Sequence, residues 1–326
     1  MRRREIMLGA IAGTTAAAGS AAVGQEAAGY PERPITVVLG YAAGGLTDVM
    51  TRLAAEPMQR VLGKPLVVEN RTGGATAIAN TYVAQARPDG YTLLMGTSSL
   101  AINPTLQPNL TPRDPASAFA PIGPLCYSPQ VLLVKAALPV TTVQEFIAYA
   151  KARPGQLHFA NSGNGSVNHL MAEMFNRAAG ITASSVPYRG ATPSLTDLRA
   201  GRVDATFATV SDSQPLIQDG AARALAVSSR DRVPQLPQVP AVAELVPGFH
   251  GVFWVGLFAP AGTPPAIVDR LAAALRSAKE DPALRERART GGAVLLPGGP
   301  EELAAMLREE TESWGRLIRE VGIRLD

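Results

Sequence analysis

The sequence predicts two doubly wound α/β lobes that face each other across a ligand cleft. Three observations predict it. Strand-like stretches such as Ile35-Thr36-Val37-Val38-Leu39 are unbroken apolar runs, the mark of strands covered on both faces. These runs alternate with helical patterns, the order of a wound α/β chain. Four loops that follow strands are rich in Gly, Ser or Thr, two in the earlier part of the chain and two in the later. In open α/β sheets, ligands bind at the carboxyl ends of the strands, where such loops lie.

The chain opens with Met1-Arg2-Arg3-Arg4-Glu5-Ile6-Met7, a basic start, followed by a mild apolar run to Val23. That is the three-part pattern of a cleaved export signal over residues 1–28, and the paired arginines fit the twin-arginine type. The run is too broken by Gly and Thr for a membrane span. Without those arginines the rest of the chain is nearly neutral, so the basic pI gives no case for nucleic acid. Cys126 is the sole cysteine, so no internal disulfide is possible, and it reads as a buried apolar residue. His158, His169 and His250 lack metal-ligand spacing, and no metal or cofactor is expected.

In order, the first strand leads into Ala43-Gly44-Gly45-Leu46-Thr47-Asp48 and a helix to about Leu62, stopped by Gly63. Thr47 or Asp48 is expected to cap that helix. Pro57 inside it is expected to kink it or end it early. A strand over 64–70, a helix over 75–86 and a strand over 91–96 follow. The stretch 101–129, rich in proline, reads as a long surface connection to a second α/β set that begins at Val131. Thr141 or Thr142 caps a helix over 143–153. A strand at 158–160 leads to Ser162-Gly163-Asn164-Gly165-Ser166 and a helix stopped by Gly180. The strand at 185–188 leads to Arg189-Gly190-Ala191 and a further helix, and strands at 203–208 and 223–227 follow. The apolar strand 252–258 is a candidate return crossing. Thr263 is expected to cap a helix with Pro264 at its first position. A last helix runs from Pro300 to about Val321, with Trp314 as a packing residue. The lobes are therefore expected at 29–130 with 254–326, and at 131–253.

A helix start offers unpaired N–H groups and partial positive charge, which suits an anion. The expected ligand-binding residues are Ala43, Gly44, Gly45, Thr47, Asp48, Thr97, Ser98, Ser162, Gly165, Ser166, His169, Tyr188, Arg189, Gly190 and Ala191. Glycines let the backbone approach a ligand, the hydroxyls supply polar contacts, and Arg189 can pair with a carboxylate. Enzymatic motifs fit poorly. There is no phosphate-loop Gly-Lys-Ser/Thr and no Gly-x-Ser-x-Gly elbow. Ser166 and His169 form a conceivable hydrolase pair, but no third group is evident to orient the histidine.

At these residues the chain resembles the substrate-binding proteins of tripartite tricarboxylate transporters, the TctC or Bug family. The resemblance is carried by Tyr30-Pro31-Glu32-Arg33-Pro34-Ile35, Gly44-Gly45-Leu46-Thr47-Asp48, Val68-Glu69-Asn70-Arg71 and Pro88-Asp89-Gly90-Tyr91. Gly163-Asn164-Gly165-Ser166 with His169-Leu170, Val186-Pro187-Tyr188-Arg189-Gly190, Arg223-Ala224-Leu225-Ala226-Val227 and Ala259-Pro260-Ala261-Gly262-Thr263-Pro264 complete it. It implies a type II periplasmic-binding-protein fold and a monomeric, non-enzymatic periplasmic receptor. That receptor closes on a small carboxylate and delivers it to membrane transporter subunits. Presentation of the ligand to a sensor kinase stays open as an alternative. The chain departs from the family at Ala43, where proline is usual, at Thr72-Gly73-Gly74-Ala75-Thr76, and at Pro240-Ala241.

Overall fold

A computed structural model describes residues 29–110, 112–246 and 249–323. The expected export signal lies outside the described residues. Among the described residues the strands form one ten-stranded sheet in two halves. In the first half, β1 (Ile35–Leu39) pairs in parallel with β2 (Leu66–Asn70) and β3 (Thr92–Thr97). In the second, β5 (Leu157–Asn161) pairs in parallel with β6 (Ala183–Pro187) and β7 (Ala205–Thr209).

The halves are joined by β4 (Phe119–Lys135), 17 residues long. Residues 119–129 pair antiparallel with β9 (Val252–Pro260) of the first half. Residues 130–135 lie between β7 and β8 (Ala222–Val227) of the second. The strand β9 pairs also with β3, and the short β10 (Val294–Leu295) pairs with β4. The sheet is therefore mixed, not wholly parallel: the connecting strands run antiparallel to those that carry the ligand-type loops.

This corrects the reading of 101–129 as a surface connection. Helices α3 (Ser99–Leu106) and α4 (Pro115–Ala118) lie there, and Ile122, Leu125 and Cys126 on β4 are fully buried. Proline suggested a loop, but Pro121, Pro124 and Pro129 fall beside register shifts or at the end of the β9 pairing, where a missing N–H is tolerated.

Helix α1 (Leu46–Leu62) does not stop at Pro57; it runs to Gly63, whose φ of 72° closes it. Nor is it capped by Thr47 or Asp48, because its cap position is Gly45, with no side-chain bond. Helix α2 (Ala77–Ala84) follows β2. In the second half, α5 (Val143–Lys151) has the expected Thr142 cap, completed by Glu145 as a capping box. Helices α6 (Val167–Ala179), α7 (Ala191–Arg199) and α8 (Val210–Gln218) each follow a strand. Helix α9 (Pro265–Ala278) begins one residue later than expected: Pro264 is its cap position, and Thr263 bonds back to Pro260 O instead. Helix α10 (Pro282–Thr290) and α11 (Pro300–Val321) complete the chain.

The core of the second half holds a ring cluster of Phe146, Phe159, Phe175, Phe207 and Phe249, in which Phe159 and Phe207 stack at 6.2 Å. Leu303, Leu307, Trp314 and Ile318 bury one face of α11. Among the described residues, no helix is long and apolar enough to cross a membrane.

Candidate carboxylate site between the two halves

The wound halves direct four helix starts at one place. Helices α1, α6 and α7 each begin after a loop at the carboxyl end of a strand, and α8 begins directly where β7 ends. Their first residues, with β4 and β9, line one half-open cavity. Gly45, Leu46 and Thr47 come from α1, Val167 and Asn168 from α6, Ala191 from α7, and Thr209 and Asp212 from α8. Tyr41, Gln130, Ser162, Ala208 and Phe253 complete the wall. Counted at water centres, its free space is about 40 Å³. One water needs roughly 10–15 Å³ on that measure, so a compact acid group fits.

Three of the four helix starts have no side-chain cap. The cap positions of α1, α6 and α7 are Gly45, Ser166 and Gly190, and none accepts a bond from its helix. Their first-turn N–H groups, apart from that of Leu46, which donates to the Asp212 carboxylate, are thus left to a ligand or water. Only α8 is capped, by Thr209 Oγ1, which accepts from Asp212 N–H at 3.3 Å.

The loops of the two halves touch. Ala42 N–H donates to Arg189 O at 3.1 Å, and the Thr192 hydroxyl donates to Ala43 O at 3.0 Å. Gln107 Nε2 donates to Asn164 O at 2.8 Å. These approaches need glycine. Gly190 has φ of 135°, and a Cβ on it would stand 2.9 Å from Ala42 N. A Cβ on Gly165, at φ of 91°, would stand 2.3 Å from Asn103 Oδ1.

Of the fifteen expected residues, Gly45, Thr47, Ser162 and Ala191 line the cavity. Ala43, Gly44 and Gly190 belong to the contact between halves. Asp48 sits just beneath the α1 start and is fully engaged. Its carboxylate accepts from Gly44 N–H, Arg52 Nε and Asn70 Nδ2 at 3.0–3.1 Å. Burial pushes its pKa up, but the Arg52, Gly44 and Asn70 hydrogen bonds outweigh it and hold the carboxyl below its usual value.

The remaining expected residues lie outside the cavity lining. Ser98 Oγ accepts from Trp254 N–H at 3.0 Å, and Thr97 is buried beside it. Ser166 Oγ lies 2.6 Å from both Gly163 O and Asn168 Oδ1. His169 is buried, and its Nδ1 accepts from Gly165 N–H at 3.3 Å. Burial pushes the imidazole down to about 4, so it is neutral and shapes the loop. The Tyr188 hydroxyl donates to Asp197 Oδ2 at 2.7 Å, outside the cavity. Arg189 is exposed and lines an outer groove, which shares Ser162 with the cavity, with Thr72, Gly73, Gly74, Ala75 and Thr76. The Thr72–Thr76 departure therefore bears on that groove and not on the rest of the cavity lining.

Sequence reasoning missed Tyr41, Gln130, Asn168, Thr209, Asp212 and Phe253. Gln130 and Phe253 lie on the connecting strands, and no loop signal marks them. Thr209-Val210-Ser211-Asp212 carries a helix-start signature that could have placed α8. Asp212 differs from Asp48. Burial raises it to about 6, against the Thr209 hydroxyl, the Leu46 amide and the Arg287 charge, which together offset only part of that cost. Among the described residues, no group of three or more His, Cys, Asp or Glu could hold a metal.

Residues 50–323 match the model of the tripartite tricarboxylate transporter family receptor. Protein BugT of Bordetella pertussis is 35% identical over 299 residues, with 91% of each chain covered. MatC of Rhodopseudomonas palustris, solved with bound malate, is 33% identical, with a TM-score of 0.86, covering 89% of this chain and all of that one. Another Rhodopseudomonas palustris protein, solved with adipate, is 34% identical, with a TM-score of 0.87, covering 90% of this chain and 99% of that one.

Proposed function

Since the chain belongs to the tripartite tricarboxylate transporter receptor family, we propose that it is a receptor that captures a small carboxylic acid between two closing lobes. The observation that carries this reading is the meeting of three uncapped helix starts on one cavity. Their N–H groups offer directional donors and a positive field without a lysine or arginine in the wall. The binding residues are the amides of Gly45, Thr47, Val167, Asn168 and Ala191, with the Thr47 and Ser162 hydroxyls beside them. The lobes are 29–130 with 254–326, and 131–253, hinged where β4 and the approach to β9 pass between halves. Ligand shifts the population towards the closed form, in which the two loop sets touch.

The receptor works in the periplasm as a monomer, after export under its signal, and delivers its ligand to membrane transporter subunits of the same system. It is not an enzyme on this reading. Ser166 is held by Gly163 and Asn168, and the accepting nitrogen of His169 is taken by Gly165, so neither is poised as nucleophile or base.

Calorimetric titration with a panel of small carboxylic acids tests the reading. At least one should bind, and Gly45→Leu should weaken it more than a hundredfold while circular dichroism stays unchanged. A Cβ at Gly45 would have ordinary contacts, at 3.7 Å from Ala191 Cβ, but the rest of a leucine would fill the cavity. Wild-type affinity in Gly45→Leu would count against the site.

A further inference from the structure

Two loops beside the cavity, one from each half, are tied together by two side-chain amides of α3. Asn103 and Gln107 stand one turn apart at the carboxyl end of that helix. Gln107 Nε2 donates to Asn164 O at 2.8 Å, in the loop of the second half that leads to the α6 start. The same nitrogen donates to Asn103 Oδ1 at 3.2 Å. Asn103 Nδ2 donates in turn to Ala75 O at 2.9 Å, in the loop of the first half that leads to α2. Asn103 is buried and has both ends of its amide engaged, so it aims the half-buried Gln107 amide at the second half.

The mount is firm and the approach is close. Leu100, Ala101, Ile102 and Leu106 of α3 are buried, and Thr105 Oγ1 lies 3.1 Å from where a Cβ on Gly315 of α11 would stand. The loop that Asn103 holds is strained, because Ala75 and Thr76 have φ of 49° and 75°, values that residues with a Cβ rarely adopt. A Cβ on Gly40 would stand 2.4 Å from Thr76 Cβ, so this loop also packs on the end of β1. From the second half, a Cβ on Gly165 would stand 2.5 Å from Gln107 Nε2. On the α7 side of the cavity the halves meet through Ala42 with Arg189 and Thr192 with Ala43, and on the α8 side through Leu46 with Asp212. On the α6 side the polar link is Gln107.

We propose that Asn103 and Gln107 are positioning residues for capture: a clasp that fastens the α6 start to the first half once the halves close, and so sets how long a bound acid is retained. The proposal rests on the receptor reading and adds a device to it. Gln107 borders the outer groove, and neither side chain lines the cavity, so the clasp acts on every acid alike. Fastening is a difference between two states. In the closed form Gln107 holds both its acceptors. In an open form Asn164 O is out of reach and the amide turns to water. Losing the bond therefore weakens the closed form alone, and a closed form that opens sooner releases its ligand sooner. Association starts from the open form and keeps its rate.

Surface plasmon resonance on the immobilised protein reads both rate constants, with succinate, glutarate, malonate, propionate and benzoate as probes. Gln107→Leu should raise the dissociation rate constant about fivefold or more, by the same factor for each acid that binds. Its association rate constant should stay within about twofold of wild type, and its ligand-free melting temperature within about 3 °C. Gln107→Met, of the same length but without the donor, should behave alike. Asn103→Leu should give a smaller rise in dissociation, because Gln107 keeps Asn164 O but loses the oxygen that aims it. A rise below about fivefold in both Gln107 variants would overturn the clasp and leave the receptor reading intact. So would a loss of affinity carried by slower association, or one that differs from acid to acid, since that would make Gln107 a ligand contact. No binding by any acid of the panel would overturn both readings. Should Asn103→Leu fail to fold, the two Gln107 variants decide alone.

Discussion

Two aspartates stand on either side of the α1 start, and they are held in opposite ways. Asp48 lies beneath it, in the first half, with a hydrogen bond from Gly44 N–H and charge-assisted support from Arg52. Asp212 reaches it from the second half, with a hydroxyl, one amide and a more distant arginine. Both are shielded from water, so burial works against both. Local hydrogen bonds outweigh it at Asp48 and do not at Asp212. The first carboxylate therefore holds the loop together, and the second carries unmet charge into the cavity. A carboxylate that stabilises the scaffold and one that serves a ligand can be told apart by this difference before any ligand is known.

The sharpest way to break the comparison is to neutralise each in turn. Asp48→Asn should cost about 2 kcal/mol, because the single oxygen it keeps leaves either Gly44 N–H or Asn70 Nδ2 facing a donor, and the charge partner of Arg52 is lost. Asp212→Asn should do the reverse and stabilise the ligand-free protein at pH 7 by about 1–2 kcal/mol. Urea titration of both variants checks this. A loss of equal size at both positions would erase the distinction.

The pH dependence sharpens it further. Asp212 has a raised carboxyl in the folded state, so the folded form binds more protons than the unfolded between the ordinary value of 3.8 and about 6. Its contribution favours folding below 3.8 and is lost as pH rises to about 6. His169 acts in the opposite sense. Its imidazole is lowered from 6.5 to about 4, so the unfolded form binds the extra proton, and stability falls as pH falls through that window. The two slopes oppose each other between pH 4 and 6, and the wild type should show a shallow profile there from this pair. Asp212→Asn should steepen the loss of stability towards acid, and His169→Gln should reverse it to a gain. Melting temperatures across pH 4–7 for the three proteins separate the two contributions. Asp48, with its lowered carboxyl, stabilises above its unfolded value, and that stabilisation is lost only as pH falls through its folded value.

The first half and the second were not equally readable. Strands β1 and β3 are apolar runs, α1 ends at Gly63, and α11 shows its buried stripe, so local pattern was enough to place them. Three of the four expected loops meet at one cavity, while the loop at Gly96-Thr97-Ser98 does not reach it. The connecting strand β4 was not legible. Its prolines imitate a loop, while its pairing is decided by neighbours more than 100 residues away, such as Trp254 opposite Tyr127. The same blindness hid Gln130 and Phe253, which the cleft receives from those strands. Side-chain direction was the other loss. Ser98, Ser166 and Tyr188 are the right residue types in the right loops, yet each spends its hydroxyl on a protein partner. No spacing rule distinguishes a hydroxyl that faces a cavity from one that closes a turn.

That loss yields the smallest effect. Tyr188 stands in a loop whose neighbour Ala191 lines the cavity, and a tyrosine at such a position reads as a ligand donor. Its hydroxyl instead donates to Asp197 on α7, and burial, together with that contact, pushes the phenol up to about 12. Tyr188→Phe removes one partly exposed hydrogen bond and leaves the wall intact. It should cost about 1 kcal/mol of stability or less, and change ligand affinity less than twofold. Arg202, which also binds Asp197, keeps that carboxylate paired in the variant. Titration of Tyr188→Phe beside Asp212→Asn compares a polar residue that faces away from the cavity with one that faces in. A tenfold loss in Tyr188→Phe would show that the phenol turns inward when ligand is bound, and would move the second wall of the site from the α8 start to the α7 loop.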